Sequence, residues 1–208
     1  LTGLSMSILI GVLAAGVSAV MALILGICAA TLGKKVDSAI SFAIDTVMGI
    51  PHILLLLLIS YAMGKGLKGV IAGVALTHWT SLARLIRGEV MQLRESEYIQ
   101  IAGKLGLGKW EIAKKHIVPH VLPQFIVGLV LLFPHAILHE SSITFLGFGL
   151  STEQPAIGVI LSESMRYLIM GKWWLAVFPG MMLVLTVVLF EKGGTALRQL
   201  LDPGSVHK

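Results

Sequence analysis

The chain has 208 residues, 56% of them hydrophobic and only 13% charged, about half the charged fraction of an ordinary soluble domain (~25%). That balance excludes a soluble enzyme, and one membrane helix bundle absorbs the whole length, so residues 1–208 read as a single transmembrane domain. The net charge of +5 points to basic loops beside a membrane, not to nucleic acid. The lone Cys28 lies in an apolar run, which excludes a disulfide framework and a thiol-based metal or redox centre.

A span needs ~20 apolar residues, because the hydrocarbon core is ~30 Å thick and a helix rises 1.5 Å per residue. Five stretches meet this or nearly do: 4–32, without a charge; 38–64, with Asp45 alone; 69–86, apolar until Arg84; 121–146, with Glu140 near its far end; and 173–190. The predicted fold is therefore all-α, a polytopic bundle of five spans. In the first span small residues recur at a spacing of four, Gly11, Ala15, Ala19 and then Ala22, Gly26, Ala30, which favours close helix packing. Asp45 lies about 10 Å inside the second span and reads as a structural group at the bend before Pro51. Short turns at 33–37 and 65–68 contrast with two long connections, one at about 95–120 and an outer one at 147–172. The long connections are expected to hold function, the outer one as a docking loop or as a re-entrant or capping loop.

If the first span ends inside the cell, the inner side holds Lys34, Lys35, Arg84, Arg87, Arg94, Lys104, Lys109, Lys114, Lys115, Lys192, Arg198 and Lys208, twelve of the 16 Lys and Arg. Only Lys65, Lys68, Arg166 and Lys172 remain outside, so the first residue is expected outside and the C-terminus in the cytoplasm. The first span lacks a basic leader and is too long for a signal peptide. With five spans and a start at the edge of one, a further upstream helix is expected.

Three short motifs fail on context. Gly64-x-Gly66-x-x-Gly69 fits a dinucleotide fingerprint but falls in a turn between two spans, with no βαβ unit around it. Gly103-x4-Gly108-Lys109 resembles a P-loop, yet Trp110 stands where a Ser or Thr must hold magnesium. His139-Glu140 opens a zinc-protease pattern, and Ile143 occupies its second histidine position. No nucleotide or other cofactor is expected on this chain.

The inner segment, Arg94 to Pro123, places apolar residues at Ile99, Ala102, Trp110, Ile112 and Ala113. That pattern predicts two short amphipathic helices broken at Gly106-Leu107-Gly108, after which Pro119 and Pro123 restart the chain into the next span. The segment resembles the coupling ("EAA") loop of ABC importer permeases, the inner-membrane components of binding-protein-dependent transport systems. The family pattern is Glu-Ala-Ala, three residues, Gly, nine residues, Ile-x-Leu-Pro. It is matched at Ala102, Gly106 and Pro119, and departed from at Gln100, Ile101, His116 and Val118. Trp79-x3-Ala83-Arg84-x2-Arg87, Glu97-Tyr98, Asp45-x5-Pro51, the stretch Ser142 to Gly149 and the tail Leu197 to Pro203 are similar to the peptide and nickel branch, so the similarity covers essentially the whole chain.

The resemblance implies a bacterial inner-membrane permease, itself non-catalytic, of six spans in the family. It implies pairing with a second, homologous permease over two cytoplasmic ATPases that hold ATP and Mg, and delivery of cargo by an extracytoplasmic binding protein. The coupling residues it implies are Glu97, Tyr98, Gln100, Ile101, Ala102, Gly103, Gly106 and Trp110.

Seven histidines are many for so apolar a chain. Counted along their spans, His52 and His135 each lie roughly 20 Å from the inner end and His78 about 13 Å from the outer end, one broad level of the membrane. His135 and His139 are four apart on one helical face, with Glu140 adjoining. Buried ionisable groups are costly in a membrane and mark function, so His52, His78, His135, His139 and Glu140 are the expected substrate path. His135 and His139 are the expected metal ligands, imidazole suiting nickel, copper and zinc; a purely structural role, each ring bonded to a neighbouring helix, is the alternative. His78-Trp79 and His139 look like the nickel subfamily, which makes nickel or a metal chelate the expected cargo and a di- or oligopeptide the alternative. An ion-coupled secondary transporter would use the same groups as a proton relay but calls for internal repeats, and none is visible.

Overall fold

The computed structural model describes residues 2–201. Leu1 and residues 202–208, among them Asp202 and Pro203 of the tail and Lys208 of the inner charge set, lie outside the described residues. The described residues contain helices and turns and no strand: α1 (Thr2–Thr31), α2 (Lys34–Gly49), α3 (His52–Ala62), α4 (Gly66–Glu95), α5 (Glu97–Lys104), α6 (Lys109–Ile112), a π-helical turn (Ala113–Ile117), α7 (Val118–Phe145), α8 (Ile157–Leu168) and α9 (Trp174–Leu201). Four helical runs are long and apolar enough to cross a membrane, α1, α4, Trp110–Phe145 and α9, and α2 with α3 makes a fifth as a pair bent by 100°.

Helix α1 packs chiefly on α4 and α7. Its Gly11, Ala15, Ala19, Ala22, Gly26 and Ala30 are all buried, while Leu9, Val12, Leu13, Val17, Val20 and Ile24 face outward. This inverts the pattern of a water-soluble helix. Lipid solvates large aliphatic groups as well as protein does, so the interface is won by residues that let two backbones approach. At Gly26 a β-carbon would lie 2.8 Å from the Ala83 carbonyl oxygen and 3.0 Å from the Ile86 side chain.

The second span, expected over 38–64 with a bend before Pro51, is broken there into two helices. Pro51 has no N–H to donate and drives the residue before it out of the helical region; Ile50 is extended, at φ −92° and ψ 138°, and His52 opens α3 in a new direction. Two ion pairs strap α2 to α4. Arg87 forks onto Asp37 at 2.5 and 2.7 Å, and Arg84 Nη2 meets Asp45 Oδ1 at 2.6 Å. With both arginines partnered, α4 runs on to Glu95 instead of ending near residue 86, and Arg94 donates to the Ala30 carbonyl at the end of α1.

The expected restart at Pro119 and Pro123 is also corrected, since Trp110–Phe145 is one continuous helical run. The π-helical turn just before α7 widens the backbone where the Pro119 ring would otherwise clash with the carbonyl four residues back. At the opposite end of the bundle Gly64, Lys65 and Gly66, all at positive φ, form the tight α3–α4 turn, which explains the misleading glycine motif. There Gly66 N–H donates to Gly149 O at 3.0 Å and Ser60 Oγ to Phe148 O at 2.7 Å. The 147–172 connection contains α8, 12 residues and thus about 18 Å long, too short to cross; it lies against α7 and α9 as a cap.

Replacing Gly26 with Leu is expected to force α1 from α4, with an overpacking cost of about 1–3 kcal/mol or more. Thermal unfolding of the detergent-solubilised protein, together with the yield of folded chain, checks this. Gly16→Leu is the control on the same helix: Gly16 has open space where a β-carbon would stand, so the larger side chain is expected to be accepted there without loss of stability.

Candidate functional site

The break at Pro51 creates a cavity of about 610 Å³ between the α2–α3 bend, α4 and α7, lined by residues 47–52, Thr77, His78, Thr80, Ser81, Leu132, His135 and His139. Three helices each bring one imidazole to it. The ring centroids of His52, His78 and His139 are 4.6–4.9 Å apart in all three pairings, and one ring nitrogen of each lies within 4.8 Å of the others. His78 Nδ1 is 3.0 Å from both the Val74 carbonyl oxygen and Thr77 Oγ1. Because the Thr77 hydroxyl itself donates to Gly73 O at 2.9 Å, its oxygen presents a lone pair to His78. Both partners are thus acceptors, Nδ1 carries the proton, and Nε2 keeps its lone pair. His52 Nε2 is buried and has no hydrogen-bond partner.

The expected metal pair, His135 and His139, is not what converges most closely: His139 meets His52 and His78, while His135 lines the same cavity but is exposed and stands outside the three-ring cluster. Residues four apart share a helix face but remain a full turn apart along the axis, whereas rings from three converging helices meet at one level. Glu140 leaves the expected path altogether. It is fully buried (0%) on the other side of α7, accepting from Ser141 Oγ and Thr144 Oγ1 at 3.1 Å each, with the Ser7 side chain beside it. Ser7 Oγ in turn accepts from Ile157 N–H at 3.1 Å, and Thr144 Oγ1 from Leu150 N–H at 3.3 Å. Glu140 is thus the node that joins α1, α7 and the outer cap.

At the far end of α4, Ser96 is extended and α5 turns away with Glu97 in its first turn. Ile99 and Ala102 are buried and hold α5 to the bundle, while Tyr98 and Ile101 are exposed. Gln100 Nε2 donates to Glu95 O at 3.1 Å, and the Tyr98 ring stands edge-on to His116 at 5.9 Å. Gly103 lies in the last turn of α5, which ends at Lys104, and Gly106 at φ 90° makes the sharp turn to α6, a conformation that only glycine adopts cheaply. Leu105 (79% exposed) and Trp110 (81%) flank that turn. The sequence reading includes Trp110 and omits Leu105; an apolar residue placed directly before a glycine turn is the signal that singles it out.

Residues 22–205 match the family described as binding-protein-dependent transport system inner membrane component, and the chain belongs to that family. It is 31% identical over 97% of its length to the dipeptide transport system permease protein DppC of Bacillus subtilis (strain 168), covering 63% of that protein. It is 32% identical over 98% of its length to a putative peptide transport system permease protein of Brucella suis biovar 1 (strain 1330), covering 68% of it. The chain thus spans about two thirds of the length of these relatives. Among solved structures, the MetNI methionine ABC transporter in an inward-facing conformation superposes with a TM-score of 0.77 at 16% identity, over 96% of this chain and 94% of that one. At that identity the likeness establishes the shared fold.

Glu140→Leu is expected to strand the Ser141 and Thr144 hydroxyls in a buried site and to destabilise the chain by about 1–3 kcal/mol. A fall in thermal stability with loosened hydrogen-exchange protection at 150–157 checks it; unchanged stability with a specific loss of transport would instead return Glu140 to the substrate path.

Proposed function

We propose that the chain is a permease subunit of an ATP-driven, binding-protein-dependent importer. It would work beside a second, homologous permease, over two ATPase subunits that hold ATP and Mg, and receive cargo from an extracytoplasmic binding protein in a bacterial inner membrane. On this reading it carries no catalytic group and no cofactor of its own. The observation that carries it is α5 with its Gly106 turn: a short helix anchored by Ile99 and Ala102 offers Tyr98, Ile101, Leu105 and Trp110 outward at the end of the bundle rich in Lys and Arg. An exposed apolar knob among basic residues suits a groove on a cytoplasmic partner.

The relatives' names support a di- or oligopeptide as cargo. The histidine-lined cavity favours a second reading, nickel or a metal chelate, because nothing in peptide passage calls for three imidazoles at one point.

Gly106→Val would strain the turn by about 1–2 kcal/mol and is expected to lower cargo-stimulated ATPase activity about tenfold or more, while insertion and complex assembly persist. Leu105→Asp should act in the same direction. Wild-type stimulation in both variants, measured on the reconstituted transporter, would exclude α5 as the transmitting element.

A further inference from the structure

We infer that His52, His78 and His139 form a three-imidazole site for a borderline divalent transition-metal ion, Ni²⁺, Co²⁺, Cu²⁺ or Zn²⁺. The inference deepens the second cargo reading and rests on it for its role in transport, though not for the binding itself. Three points with all separations within 4.8 Å lie no more than about 2.8 Å from a common centre, and metal–imidazole bonds are about 2.0–2.1 Å. A contraction below about 1 Å per ring therefore closes the site, within the reach of side-chain torsions alone. Two of the three rings already present a ligating atom. His78 is held by Val74 O and Thr77 Oγ1 in the tautomer that leaves Nε2 free, the second-shell arrangement that fixes ligating histidines. His52 Nε2 is buried with no partner, a desolvation cost that a metal would offset.

The donor set selects the ion. Three neutral imidazoles without a carboxylate or thiolate favour borderline metals over Mg²⁺ or Ca²⁺; Glu140 faces away, and the cavity's other lining groups are hydroxyl or apolar apart from His135. Neutral ligands leave the charge of the ion uncompensated. His135, exposed on the same cavity wall, is one helical turn away and offers a next donor along α7. Because the three ligands come from α3, α4 and α7, a bound ion ties the segment beyond the Pro51 bend to the two long helices.

The test uses the full chain without an affinity tag, in detergent and in the assembled transporter, titrated with Ni²⁺ and Zn²⁺. One ion per chain is expected, with X-ray absorption giving three imidazole nitrogens at about 2.0–2.1 Å in the wild-type protein, a result that does not depend on any variant folding. His52→Ala, His78→Ala and His139→Ala should each weaken binding at least about tenfold, and Thr77→Val about tenfold through the loosened His78 ring. His116→Ala and His120→Ala should bind as wild type. Absence of stoichiometric binding, fewer than three imidazoles, or loss of binding on removing His116 or His120 would overturn the site. If no metal binds while a peptide still stimulates ATPase activity, the metal site fails and the permease reading stands. If metal binds but no cargo stimulates the ATPases, the permease reading fails and the site stands.

Discussion

The close approach of α1 to α4 is the contact on which the other features depend. In hydrocarbon, helices gain nothing by hiding leucines from lipid, so their mutual affinity rests on backbone proximity and on the dispersion contacts that proximity permits. The buried small-residue face of α1 supplies this, with Gly26 against Ala83 and Ile86 of α4 and Gly11 against Phe133 and Ile137 of α7. With α4 so fixed, His78 is presented to the cavity, Arg84 and Arg87 to α2, and Ser96 to the start of α5. Helix α7 packs on both α1 and α4, which sets His139 opposite His78.

Against that rigid frame the second span is the irregular part. Irregular backbone at membrane depth is tolerated where it lines a cavity, and the Ile50–Pro51 break lines the histidine cavity. The paired strap of Asp37 with Arg87 and Asp45 with Arg84 compensates α2 for its few buried residues, Ile44 being the only one on the helix. Of the two pairs, the forked and half-buried Asp37–Arg87 holds more firmly; Arg84–Asp45 is exposed on both sides, and exposed pairs contribute little.

What depends on local pattern is legible in the sequence. The small-residue stripe of α1 lies buried as its spacing suggests, the glycine break at 106 has positive φ, and Pro51 marks the bend. Convergence is not legible in the same way. His52, His78 and His139 are far apart in the chain, and counting residues along straight spans yields a shared level but no partners, so the i,i+4 pair His135 and His139 stands out as the ligand set. Glu140 misleads for a similar reason: adjacency to His139 suggests a common path, whereas neighbours on a helix point about 100° apart and Ser7, which packs beside it, comes from the other end of the chain. Of the two proline features, the bend at Pro51 proves a full break and the restart at Pro119 does not occur, since a proline following an extended residue breaks a helix and one preceded by a π turn is absorbed.

The two helices that flank α5 and its turn both run without interruption to the histidine cavity. From Glu95 back to His78 is about 26 Å along α4, and from Trp110 to His139 about 44 Å along the α6–α7 run. A stiff helix conveys displacement of its end better than a jointed one, and the joints are found elsewhere: at Ser96, at the Gly106 turn and at the Pro51 bend. A push on α5 would therefore be delivered to α4 and α7 as rigid units, and the element free to yield is the α2–α3 bend that carries His52. Opening that bend would withdraw one imidazole from the other two. If the three rings hold a cation and α5 takes the push, as proposed above, the same displacement at the basic end of the bundle would release that cation.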